Sequence, residues 1–166
     1  MLHPSPTTKI DPTLTRATIV EIIDETHAKP AMVVLNYANT NYSTHLVAEG
    51  DLEQLRTLVG KTVLGTIHAT ARRIDPAGAG GRCIDPCVGT PRRAMGTIVG
   101  IDPRTNGMVI NVGPNMSVWL TLGAPGQRAT DLAHADFVTC DLQPGTSFRF
   151  KGLAWADHAI RGSTQR

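Results

Sequence analysis

The sequence predicts a mainly β protein built as two tandem small β-barrels, each with one short helix or helical turn. Three observations lead there. Apolar residues gather in short β-branched runs such as Thr18-Ile19-Val20 and Thr97-Ile98-Val99, which suit strands. Glycine (16) and proline (11) are frequent in a chain of 166 residues of which only 4% are aromatic, a mix that favours short strands and many turns over long amphipathic helices. Finally, the order of elements before residue 77 is repeated after residue 93.

Taken in order, residues 1–14 carry three prolines and few apolar side chains and read as a flexible lead-in. A first barrel is expected over 15–77. Its strands are 15–24, 31–35 and 43–47, the last two separated by an asparagine-rich loop over 36–42. Asp51 is placed to cap a helix, with Gln54 three residues on and Leu52, Leu55 and Leu58 at helical spacing, and Gly60 stops it. A long strand then covers 62–73.

Residues 78–93 form a seam. Gly78, Gly80, Gly81, Gly89, Pro86 and Pro91 argue against regular structure there. A second barrel is expected over 94–151, with strands at 94–101, 108–112, 117–122, 137–142 and 147–151. Asn106-Gly107 turns its first hairpin. Phe148 and Phe150 share one face of the last strand and are expected to fill this second barrel. Residues 152–166, with Trp155 and Asp157-His158, are read as a tail without catalytic content.

The two halves align on Thr18-Ile19-Val20-Glu21-Ile22 with Thr97-Ile98-Val99-Gly100-Ile101, and Leu46 corresponds to Leu120. Gly96 to Asp102 and Leu132 to Val138, with Ile19 to Asp24 and Leu55 to Leu64, resemble the small OB-like barrels found in tandem in uncharacterised bacterial proteins. There a repeat reads G-x-V-x-x-V-D followed by L-x-x-L-x-x-G-x-x-V. Residues 134–136 lack the glycine of that pattern. The resemblance implies the fold and carries no catalytic residue.

Net charge is +2, too small to announce a nucleic-acid or membrane partner. Its distribution says more: Arg72, Arg73, Arg82, Arg92 and Arg93 against Asp75 and Asp85 make this segment +3 and the remainder −1. Guanidinium groups beside exposed backbone amides make the five arginines the candidate anion or single-stranded nucleic-acid site. Tyr37 and Tyr42, amphipathic rings on a polar loop, are the candidate protein interface.

Cys83 and Cys87 flank Asp85-Pro86 and could serve as a thiol or metal site, but only Cys140, His68 and His134 offer further ligands, without a recognised spacing. No nucleophile elbow, Walker loop or dinucleotide fingerprint is present. The expectation is a non-enzymatic binding or assembly module with an unknown protein partner or self-association. It uses no cofactor or metal. Nucleic acid is the less favoured partner, a membrane is not expected, and an odd cysteine count without a leader-like N-terminus suggests the cytoplasm.

Overall fold

A computed structural model of the chain describes residues 11–154. Its strands are β1 (Thr15–Ile23), β2 (Met32–Asn36), β3 (Ser43–Ala48), β4 (Thr62–Pro76), β5 (Cys83–Asp85), β6 (Val88–Gly89), β7 (Arg93–Asp102), β8 (Gly107–Gly113), β9 (Met116–Leu122), β10 (Phe137–Leu142) and β11 (Ser147–Leu153). One short helix, α1 (Leu52–Thr57), and a 3-10 turn at Ala129–Asp131 accompany them. Asp51 caps α1 as expected, its carboxylate accepting from the Glu53 and Gln54 amides at 3.0 and 3.4 Å. Among the described residues no helix is long and apolar enough to cross a membrane.

The eleven strands form a single sheet with the order β1-β2-β3-β11-β4-β10-β7-β8-β9. Two further pairings, β1 with β4 and β4 with β9, bring the path back on itself. One closed circuit of pairing therefore runs through β1, β2, β3, β11 and β4, and another through β4, β10, β7, β8 and β9. Strand β4, 15 residues long, belongs to both. The seam thus does not separate two sheets, and it is not free of regular structure: β5 pairs with β7 and β6 with β3. Tertiary pairing overrides the weak local propensity of these glycine-rich residues.

The circuits match in detail. Thr18, Ile19 and Glu21 face Asn36, Leu35 and Val34, with a bulge between Ile19 and Glu21. Thr97, Ile98 and Gly100 face Asn111, Ile110 and Val109, with a bulge between Ile98 and Gly100. A bulge adds a residue and sharpens the twist, which lets one strand turn from one neighbour toward the next. The Ile19 carbonyl accepts from Gly60 at 2.7 Å and its amide donates to Lys61 at 3.1 Å. Correspondingly, the Ile98 carbonyl accepts from Ala135 and its amide donates to Asp136, both at 2.9 Å. Gly60 and Ala135 both lie in the left-handed region, at φ 89° and 75°. The glycine missing from residues 134–136 is therefore replaced by an alanine that adopts the same backbone.

The last strand of each half sits with the other half. Residues 67–71 of β4 pair with β9, and Ala71, Ile74, Asp75 and Pro76 pair with β10. In turn β11 pairs with residues 63–68 of β4 and, in parallel, with Val47 and Ala48 of β3. This corrects the expectation that 147–151 completes the second half. After β10 the chain reverses at Gly145 (φ 104°), whereas β4 runs straight on where the first half would have had to turn. Phe148 accordingly fills the first circuit: its ring occupies the space over Gly65, where an added Cβ would lie 2.4 Å from Cζ. Ile19, Leu35, Leu46, Ile98, Ile110, Leu120 and Phe148 all belong to one buried cluster, so the two circuits share a core.

Candidate binding face

The five seam arginines are exposed. They are spread along a stripe of alternating charge. Arg93 on β7 lies in register with Asp85 on β5 and with Asp141 on β10. Arg73, on the far side of β10, pairs with Asp75 at 3.0 Å, and Arg72 is its neighbour on β4. The Arg92 carbonyl accepts from Leu142 at 2.8 Å. Arg82 turns the other way and donates to the Asn111 side chain. None of the five lines the cavity described below.

The two tyrosines do not form the expected interface. Tyr37 is buried, its hydroxyl 2.7 Å from Thr44 Oγ1, and burial raises its pKa well above the ordinary value. Thr40 bonds back to the Tyr37 carbonyl at 2.8 Å, closing the loop so that the ring points inward. Tyr42 is half-buried against the core, and its hydroxyl accepts from the Ile84 amide at 3.4 Å, holding β5 in place. Cys83 is half-buried, Cys87 exposed and Cys140 buried, all as free thiols. Burial, with Asp141 nearby, pushes the Cys140 thiol up to about 12. Among the described residues no three His, Cys, Asp or Glu side chains converge as a metal-ligand set.

A different face carries a concave site. Strand pairing aligns Ser147 on β11, His68 on β4, Trp119 on β9, Val109 on β8 and Gly100 on β7 as one row across the sheet. Side chains in register across neighbouring strands share a face. His68, Trp119, Val109 and Gly100 of this row form the floor of a cavity of about 490 Å³ whose walls include Ile101, Asp102, Thr105, Thr121 and Arg149. That volume lies within the roughly 300–1,000 Å³ of small-ligand sites.

The Trp119 and His68 rings have centroids 5.7 Å apart and are tilted by 32°. Trp119 is fixed by its Nε1, which donates to the Thr13 carbonyl at 2.9 Å, while Ser117 Oγ donates to the Pro12 carbonyl at 2.6 Å. Part of the expected lead-in is thereby strapped across β9. His68 Nε2 is 2.8 Å from Thr66 Oγ1. Burial, then the positive charges of Arg149 and Lys151, lowers His68 to about 4 despite Glu49, so its ring is neutral near pH 7. Burial works to raise Glu49, but hydrogen bonds from Ser147 and Arg149 outweigh it and hold the carboxyl below its ordinary value. Arg149 Nε meets Glu49 Oε1 at 2.8 Å.

This site was legible by parity. In 117–122 the apolar Val118, Leu120 and Leu122 alternate with Ser117, Trp119 and Thr121, which places the indole on the polar face. In β4, His68 falls likewise between Thr66 and Thr70. Comparisons with protein-family models, curated proteins and solved structures give no match, so the resemblance to tandem OB-like barrels rests on the sequence pattern.

Proposed function

We propose that the chain is one β unit written twice, each copy an OB-like barrel that lends its last strand to the other, and that it works as a non-enzymatic binding module. Its recognition surface is the concave face of the second copy, where Trp119 offers a flat, half-buried platform to a small ligand with a planar ring. The observation that carries this reading is the row His68–Trp119–Val109–Gly100, an aromatic and apolar floor beneath an open cavity. Binding without chemistry fits the polar groups around it. Ser147 is bonded to Glu49, and Thr66, the partner of His68, is buried and does not line the cavity, so neither of these hydroxyls faces a ligand beside His68 as a nucleophile.

The alternative of a nucleic-acid strand on Arg72, Arg73, Arg82, Arg92 and Arg93 has less support. Those charges alternate with carboxylates, and among the described residues no aromatic side chain is exposed beside them. Self-association through sheet edges is also narrowed: among the described residues only β5 and β6, three and two residues long, have a single strand neighbour.

Trp119 supplies its own assay. The chain has two tryptophans, and Trp155→Phe leaves Trp119 as the sole indole reporter. Heteroaromatic carboxylates, nucleotides and aromatic dipeptides should include at least one class that changes its fluorescence saturably, and Trp119→Leu should abolish that binding. No saturable response from any class would sink the reading.

A further inference from the structure

We infer that the ligand of this face is a nucleoside monophosphate with an amino-bearing base: the base lies on Trp119, the phosphate meets Arg149 and Lys151, and Asp102 accepts from the exocyclic amine. This inference rests on the binding reading above and gives its site a chemical class. Three features of the cavity carry it.

The first is the number of rings. Trp119 and the tilted His68 make one platform, and Val109 and Gly100 continue the floor without another ring. A polynucleotide strand is held by stacking successive bases on successive rings. One platform takes one base.

The second is polarity. Arg149 stands on β11, two strand spacings across and two residues along from Trp119, or about 12 Å at about 4.8 Å per spacing and about 3.3 Å per residue. That is a span the guanidinium stem and a sugar-phosphate arm can close together. Glu49 occupies Arg149 Nε, and among the described residues the two terminal nitrogens make no hydrogen bond, leaving a planar pair of donors suited to phosphate oxygens. Arg149 also lines the neighbouring cavity of about 300 Å³, where Lys151 stands with Glu49 and Asp51, so Arg149 is the cation shared by both cavities and Lys151 adds a second beyond it. On the other side of Trp119, Asp102 and the Thr105 and Thr121 side chains line the wall. A carboxylate there only accepts: Asp102 Oδ1 takes the Arg104 amide at 3.0 Å, and its other oxygen is placed to accept from an amino group.

The third is preorganisation. The Trp119 indole is tied to Thr13, Arg149 to Glu49, and Glu49 in turn to Ser147, so platform and cation are held before a ligand arrives. Neutral His68 keeps the platform from repelling the positive edge of a base.

The test uses full-length protein with Trp155→Phe and titrates AMP, CMP, UMP, adenosine, inorganic phosphate and a short oligo(dA), following Trp119 fluorescence. AMP and CMP should bind saturably, with adenosine and UMP at least tenfold weaker and phosphate competing with AMP without quenching on its own. Arg149→Gln and, separately, Lys151→Gln should weaken AMP while leaving adenosine unchanged, with folding checked by circular dichroism. Asp102→Asn should reduce the preference for CMP over UMP. Adenosine binding as tightly as AMP, or oligo(dA) binding tighter than AMP, would overturn the inference. A saturable response to a heteroaromatic carboxylate or aromatic dipeptide with none to nucleotides would also overturn it while leaving the binding module intact.

Discussion

The two halves share backbone pairing down to the bulge, yet the aromatic cavity described above lies on the second. Positions that face one another as Gly100, Val109 and Trp119 in the second half are Glu21, Val34 and His45 in the first. Valine is common to both. What differs is a glycine that leaves space and an indole that provides a surface. Gly100 has no unusual φ, and a Cβ added there would meet nothing nearer than Val109 at 3.9 Å, so the glycine serves the cavity and not the chain path. Matched strand pairing thus supplies a similar frame in both halves, and these two side chains set where the cavity opens.

The exchange of last strands makes the largest prediction. If β11 belongs to the first circuit, Phe148→Ala should cost about 3–5 kcal/mol, the usual loss for truncating a fully buried aromatic. Denaturant titration measures the total, and amide exchange locates it. Protection should fall first in β3 and in residues 63–68 of β4. A loss confined to β10 and β7 would contradict the pairing.

Gly100→Glu gives the second half the side chain of the first. The substitution has room, so stability should stay within about 0.5 kcal/mol. A carboxylate across from Val109 should nevertheless fill and charge the cavity, weakening any Trp119-dependent ligand about 100-fold, or about 2.7 kcal/mol. Unchanged affinity would place the ligand elsewhere. The comparison then turns on the left-handed pair. Gly60→Ala should lose about 1–2 kcal/mol, while Ala135→Gly should gain on the order of 0.5 kcal/mol because unfolded-state entropy offsets part of the relief. Thermal unfolding of both variants should therefore shift in opposite directions, and equal signs would mean the two positions are not equivalent.

How much of this was readable beforehand depends on how local the deciding interactions are. Strands 15–24 and 94–101, the Asp51 cap and the alignment of Thr18 to Ile22 with Thr97 to Ile101 follow from short-range chemistry and can be read in sequence. The exchange cannot, because it depends on Ser147 finding His68 and on Ile67 finding Val118, pairings between residues far apart in the chain. The same holds for β5 and β6, whose few residues become strands only beside β7 and β3. Tyr37 looked like a surface ring because its loop is polar, and only the Thr44 hydroxyl gives its phenol a partner inside. The arginine cluster was visible in full, but the carboxylates in register with it were not all near it in sequence: Asp141 comes from another strand.

That stripe yields the smallest effect and joins the halves. Arg92→Ala with Arg93→Ala removes two exposed cations, and exposed pairs are worth little, so stability should change by no more than about 0.5 kcal/mol. The sign is set by register. Without Arg93, Asp85 and Asp141 face one another across β7 with no intervening positive charge, so the variant should be slightly less stable at low salt. The deficit should vanish above about 1 M salt, where screening acts within about 3 Å. Ligand binding at Trp119 should be untouched, since neither arginine lines that cavity. A tenfold loss of affinity in this variant would move the functional surface back to the seam, and with it the distinction between a first half that frames and a second half that binds.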